Sequence, residues 1–137
     1  MTNLYDVFGT DPELESTKGV WIDYGKSTSI KIARAGGANK AYQAALLKLS
    51  NEYKHQIQSE VLGEEVAGTL MLEVFVDTII LDWEGIKDKN GEEMPFTKEN
   101  ARKLLTDLPD LFIDLRQMAG NITLFREKII EDDGKNS

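Results

Sequence analysis

The sequence predicts a mainly α-helical (α+β) fold, in which an N-terminal β-hairpin is followed by about four helices in a small bundle. Two short runs near the N-terminus alternate apolar with polar residues, which is the period of a half-buried strand. From residue 39 onward the apolar residues recur every three or four positions, which is the period of a helix. A chain of 137 residues without cysteine is long enough to bury one core without disulfides or a metal.

We expect one α-rich domain over residues 19–131, preceded by an arm and followed by a tail. Residues 1–18 are polar and acidic and hold a small apolar cluster, so we interpret them as a flexible N-terminal arm. Residues 132–137 are polar and are expected to form a frayed C-terminal tail. We find no internal repeat and no interdomain linker.

The charge of the chain argues against two classes of partner. With 24 acidic and 16 basic residues, the net charge is −8, which should repel phosphate backbones and anionic membranes. The apolar-rich run over residues 66–81 is interrupted by Glu73 and Asp77 and is too short to span a bilayer. We therefore expect no nucleic-acid partner and no membrane association. The N-terminus has neither the basic nor the apolar region of a signal peptide, so we expect none, and the lack of cysteine suits a reducing cytosol.

The hairpin is predicted between residues 20 and 33, with Gly25–Thr28 as its turn. A lone hairpin is marginal in water, so one face must pack on helices or pair with a further strand. The turn resembles the end of a phosphate-binding loop, but Val20 stands where that motif needs a glycine, so we reject this reading. The alternating apolar residues are Val20, Ile22, Tyr24, Ile30 and Ile32.

Two longer helices follow the hairpin. Asn39 is a suitable N-cap for the first, whose apolar face is formed by Tyr42, Leu46, Leu49, Tyr53 and Ile57. The second is predicted over residues 63–83 and is apolar around more than half its circumference, so it should be central to the core or face a partner. We interpret its narrow polar stripe as a solvated face rather than a carboxylate metal site. The stripe consists of Glu65, Thr69, Glu73 and Asp77.

The acidic stretch DWEGIKDKNGEEMPFT, residues 82–97, is predicted to be a rigid connector. As a calcium loop it would need Gly91 at the sixth position, which places Ile86 and Thr97 where the first and last ligands belong, and neither fits that role. As a connector it fits throughout, because Trp83 can anchor in the core and Asn90 with Gly91 suits a turn.

Two final helices are predicted after the connector. Thr97 is placed to cap the first, and Pro109 falls in the first turn of the second, where its missing N–H costs little. An apolar stripe runs from Leu111 to Ile129, and the Gly120-Asn121 pair should weaken the helix locally.

Nothing in the sequence points to catalysis. The chain has no cysteine, His55 is its single histidine, and no nucleophile–base pattern or cofactor fingerprint is present. We therefore expect a non-enzymatic protein without catalytic residues, bound metal or cofactor.

Two segments carry a resemblance to a known family. Residues 81–115, LDWEGIKDKNGEEMPFTKENARKLLTDLPDLFIDL, resemble the tail assembly chaperones of long-tailed bacteriophages and prophages, which carry a DW-G-(V/I)-D-G-PFT-ENA-LL-LPDLF arrangement. The upstream GVWIDYGKSTSIKIARAGGANKAYQAALLKL is similar to the V-W-x-D-Y strand and I-A-R-A-G segment of that family. These motifs are recognition patterns rather than active-site signatures.

The resemblance implies a chaperone that binds the tape measure protein, keeps it soluble and promotes polymerisation of the tail tube around it. It implies the tail tube protein as a second partner, self-association, and a location in the cytoplasm of the bacterial host with absence from the mature virion. It also implies that this chain is the shorter of two forms, the longer one arising by programmed frameshifting. The alternative is a structural tail or head–tail connector protein that stays in the virion.

The surplus apolar surface of the predicted helices would contact the client. Several copies would line the tape measure protein, and −8 net charge would keep the complex soluble. The candidate partner-binding residues are Leu70, Val74, Leu111, Leu115, Met118 and Ile122.

Overall fold

The computed structural model describes residues 3–125 and confirms the mainly α (α+β) class. Ile129 of the predicted final stripe and the predicted tail over residues 132–137 lie outside the described residues. The elements in chain order are helix α1 (Leu4–Phe8), a π-helical turn (Leu14–Lys18), strands β1 (Val20–Asp23) and β2 (Ser29–Ile32), helices α2 (Lys40–Glu52), α3 (Lys54–Gln58) and α4 (Glu64–Thr78), strand β3 (Ile80–Glu84), and helices α5 (Lys98–Asp107) and α6 (Pro109–Ala119).

The three strands form one antiparallel sheet in the order β1-β2-β3. The predicted hairpin is confirmed, with Ile22 opposite Ile30, and Ile30 in turn opposite Trp83. These three side chains are buried on one face of the sheet. On the other face Trp21 is exposed, and the ammonium of Lys31 lies 5.6 Å from the centroid of its ring.

The prediction of one helix over residues 63–83 is wrong at its C-terminal end. Helix α4 ends at Thr78, and residues 80–84 become β3, which pairs with the free edge of β2. The run of large apolar residues there suits a strand buried on one face as well as a helix. Pairing with β2 favours the strand, because a lone hairpin is marginal in water and gains from a third strand. Next to this pairing, Ala33 N–H donates to the Ile79 carbonyl at 2.8 Å.

Helix α4 lies at the centre of the helical layer. Phe75 packs edge-to-face against Tyr42 of α2 and Phe112 of α6, with centroid distances of 6.1 and 5.4 Å. The polar stripe of α4 faces outward, as expected, and two of its members also bind α5. Arg102 donates to the Glu73 carboxylate through Nε at 2.5 Å and through Nη2 at 3.0 Å. The Nζ of Lys98 lies 3.5 Å from Oδ1 of Asp77.

The segment between β3 and α5 is a connector, as predicted. Trp83 is buried, its Nε1–H donates to the Met94 carbonyl at 2.8 Å, and its ring meets Phe96 edge-to-face. The Asp88 carboxylate accepts two backbone N–H bonds within its own turn. Thr97 caps α5 by accepting from Asn100 N–H at 3.0 Å.

A polar cluster joins the N-terminal segment to the helices. Glu15, which the sequence placed in the arm, is buried with Leu14, and its carboxylate pairs with the Arg34 guanidinium. Asn39 is also buried and caps α2 through Tyr42 N–H. Its amide donates to the Arg34 and Thr78 carbonyls at 3.0 and 3.4 Å. The start of the π-helical turn, the N-terminus of α2 and the end of α4 are therefore held together.

Candidate interaction surfaces

The described residues present exposed apolar surfaces that are candidates for binding. Within residues 3–125, no group of three or more His, Cys, Asp or Glu side chains is arranged to hold a metal ion. No helix in that range combines the length and apolar character needed to cross a bilayer. Two apolar surfaces remain as candidates for function.

The six predicted contact residues do not form one surface. Val74 and Leu115 are 5% and 0% exposed, so neither reaches a partner while the chain keeps this fold, which corrects their choice as contacts. Both residues belong to apolar stripes, on α4 and α6, that pack against the core. A stripe in the sequence does not show which of its residues are covered by other helices or by the sheet. The other four are half-buried and stay candidates: Leu70, Leu111, Met118 and Ile122.

The first surface is the far end of the helical hairpin formed by α2, α3 and α4. Helix α2 packs mainly on α4 and contains no fully buried residue. The chain bends at Tyr53, between α2 and α3, so Ile57 turns away from the inner face on which the sequence placed it. Val61 is 68% exposed. We call this surface the hairpin tip, and it consists of Ile57, Val61, Leu62 and Val66.

The second surface is a groove between the end of the sheet and helices α5 and α6. It has a volume of about 500 Å³ and adjoins a second cavity of about 420 Å³ on the far side of Leu104 and Leu108. Leu108 is exposed because Pro109 starts a new helix and the two helices diverge there. The floor is apolar and consists of Ile30, Ile86, Leu104, Leu108 and Leu111.

Lysines line the rim of this groove and its adjoining cavity. Two carboxylates, Asp88 and Asp107, stand among them, and that of Asp88 already accepts hydrogen bonds from its own turn. None of the lysines forms an ion pair with a described residue. The groove is thus locally basic in a chain of net charge −8, so we name it the lysine-rimmed groove. The rim lysines are Lys26, Lys87, Lys89 and Lys103.

The turn between β1 and β2 closes one end of the groove. Gly85 has a φ of +71°, and a Cβ there would collide with the Ser27 carbonyl, so glycine lets the turn lie directly against the end of β3. Beside the turn, Tyr24 O–H donates to Asp114 Oδ2 at 2.6 Å. Partial burial and this hydrogen bond raise the pKa of Tyr24 above its ordinary value.

Sequence reasoning found one residue of the groove, Leu111, and missed the groove itself. Its floor joins residues that are more than 70 positions apart, from Ile30 in β2 to Leu104 in α5. The available signal was the Leu108-Pro109 step, where a helix must end and an apolar residue is left beside the break.

Comparison with known proteins identifies a prophage family. The family model described as YdaY prophage protein matches residues 37–136, which span α2 to α6 and so include the hairpin tip and the helical wall of the groove. No curated protein and no solved structure matches the chain. Because the matched residues are most of the sequence, this chain belongs to the YdaY prophage protein family.

Proposed function

We propose that this prophage protein is a non-enzymatic tail assembly chaperone. It binds the tape measure protein in the host cytoplasm, keeps it soluble and promotes polymerisation of the tail tube protein around it. The proposal is supported by membership of a prophage family and by the resemblance of residues 81–115 to tail assembly chaperones. The structural observation that carries it is the apolar hairpin tip.

The hairpin tip suits an elongated helical client. A helix with one apolar face needs a matching apolar surface, and a shallow surface between two helices is a recurring way to supply it. Val66 and Leu70 lie one turn apart on α4, so they extend the tip along the axis of the hairpin. The net charge of −8 would then keep the loaded client from aggregating.

Co-expression with the tape measure protein of the same prophage tests the proposal. We expect the wild-type chain to shift the client from the insoluble to the soluble fraction and to co-purify with it. The V61D/V66D double variant should lose this effect, because two carboxylates would be desolvated against an apolar client. The matched control is I113D, which places a carboxylate at an exposed apolar position of α6 outside the tip.

Circular dichroism must show that both variants keep the wild-type helix content. If V61D/V66D solubilises the client as well as I113D does, the client does not bind at the tip. If the client stays insoluble with the wild-type chain present, the chaperone function itself is refuted. Mass spectrometry of purified particles is a second test: a chaperone is absent, whereas a structural tail or connector protein is present in stoichiometric amount.

A further inference from the structure

The lysine-rimmed groove concentrates positive charge on an acidic chain. Four lysines and two carboxylates line the groove and its adjoining cavity, although the sequence holds 24 acidic and 16 basic residues. The four lysines are exposed, and none of them forms an ion pair with a described residue. A positive potential beside an apolar floor favours a ligand that carries both apolar groups and negative charge.

The connector between β3 and α5 holds two of these lysines in place. Residues 86–94 fold back on themselves and are joined by a bridge between Lys87 and Glu93 and by two backbone hydrogen bonds of 2.9 Å. Lys87 and Lys89 lie two positions apart in this loop, and both line the cavity beside the groove. Glu93 lies opposite Lys87 but lines neither the groove nor the cavity. The backbone of the connector therefore fixes both lysines beside the apolar floor while their side chains stay exposed.

The floor is divided in a way that suits a linear segment. Leu104 and Leu108 line both the groove of about 500 Å³ and the cavity of about 420 Å³, so the two spaces lie on either side of these leucines. A peptide segment that crosses the leucines places one apolar side chain in each space. Its carboxylates then lie near Lys87, which lines both spaces, and near Lys103. A compact small molecule would fill one space and leave the other empty.

We propose that the lysine-rimmed groove binds an acidic linear segment of another protein, through two apolar side chains and the carboxylates beside them. In such contacts a few buried anchors carry most of the binding energy, and the charges select the partner and speed its approach. A second copy in the groove would bring a net charge of −8 with it, so repulsion between the two molecules opposes that occupant. The inference does not rest on the proposed function, because the hairpin tip consists of other residues.

Selection of displayed random dodecapeptides on the full chain tests this inference. We expect the enriched peptides to carry several carboxylates around two apolar residues. Fluorescence anisotropy of the synthesised peptides then gives their Kd, which more salt should raise. The groove variant K87E/K103E should bind them at least about tenfold more weakly than the wild type. The matched control K48E/K54E makes the same charge change on α2 and α3 and should bind like the wild type.

A second pair of variants tests the apolar floor. Leu108→Ser removes an exposed leucine between the two spaces and should weaken peptide binding about fivefold. The matched control Ile113→Ser removes an exposed apolar side chain of α6 that lines neither space, and should bind like the wild type. Circular dichroism must show that all four variants keep the wild-type helix content.

The results also decide between occupants. Acidic peptides whose binding depends on both the lysines and Leu108 would support the inference. No enrichment, enriched peptides without carboxylates, or equal binding by K87E/K103E and its control would each overturn it. If single-stranded oligodeoxythymidine displaces the peptides at similar concentration, the groove recognises negative charge alone, and the inference is wrong. It is also wrong if the wild type forms oligomers in sedimentation velocity that K87E/K103E does not form, because the occupant is then a second copy.

Discussion

Replacing Asn39 with alanine should destabilise the fold by about 2–4 kcal/mol. The side chain is buried, and its Oδ1 caps α2, a contact worth about 1 kcal/mol. Its Nδ2 donates to the Arg34 and Thr78 carbonyls, and each lost bond to a neutral group costs about 0.5–1.5 kcal/mol. For a chain of this length the sum corresponds to a fall in Tm of roughly 10 °C.

The N39D variant separates the two roles of this side chain. Aspartate keeps the capping oxygen and adds a negative charge at the N-terminus of α2, which by itself would favour the helix. It also replaces the amide donor with an oxygen that faces two carbonyl oxygens. We therefore expect N39D to be at least as destabilised as N39A, despite its better cap.

Urea and thermal unfolding followed by far-UV circular dichroism measure both variants. The T97D variant of α5 serves as the control, because Thr97 is an exposed cap whose hydroxyl oxygen accepts from Asn100 N–H, a role that aspartate can keep. It should stay within about 0.5 kcal/mol of the wild type. If N39D proves as stable as the wild type while N39A loses only about 1 kcal/mol, Asn39 acts as a cap alone and the bridging role is refuted.

Four further substitutions probe the sheet and its connector. Measured by urea unfolding, Gly85→Ala should lower the free energy of unfolding by more than about 2 kcal/mol and Gly91→Ala by about 1 kcal/mol. Both glycines have a positive φ, but of the two only Gly85 has turn backbone where a Cβ would lie. Trp83→Phe should lower the free energy of unfolding by about 1–2 kcal/mol, because the hydrogen bond to the Met94 carbonyl is lost. The fluorescence of this variant comes from Trp21, so it should show the red-shifted emission of an exposed indole. The raised pKa of Tyr24 means that its stabilisation is complete below about pH 10 and is lost as pH rises through the folded-state value. Tyr24→Phe should therefore flatten the fall in unfolding free energy above that pH, and equal slopes would contradict this.

Local chemistry made several elements predictable. The caps at Asn39 and Thr97 and the helix start at Pro109 depend on residues within one turn, and all three are confirmed. Likewise, the alternation around Ile22 and Ile30 identified the hairpin and its buried face. Each of these features is decided by neighbours in sequence, which is the information that a single chain provides.

Features that depend on distant pairing were not predictable in the same way. Residues 80–84 form a strand because they can pair with the free edge of β2. The sequence of this segment alone does not indicate that such an edge is available. The burial of Val74 and Leu115 follows from which neighbours cover α4 and α6. The lysine-rimmed groove arises where two helices diverge beside a turn, so its composition becomes visible only after folding.

The attachment of α2 at its base has a consequence for motion. Asn39 and Tyr42 secure the first turn, whereas the later turns of α2 rest chiefly on α4 and bury no residue fully. Amide protons in its outer half should therefore exchange with solvent faster than those of β2, through local openings that leave the sheet intact. Such openings would expose the face of α4 that α2 covers while the three strands stay paired.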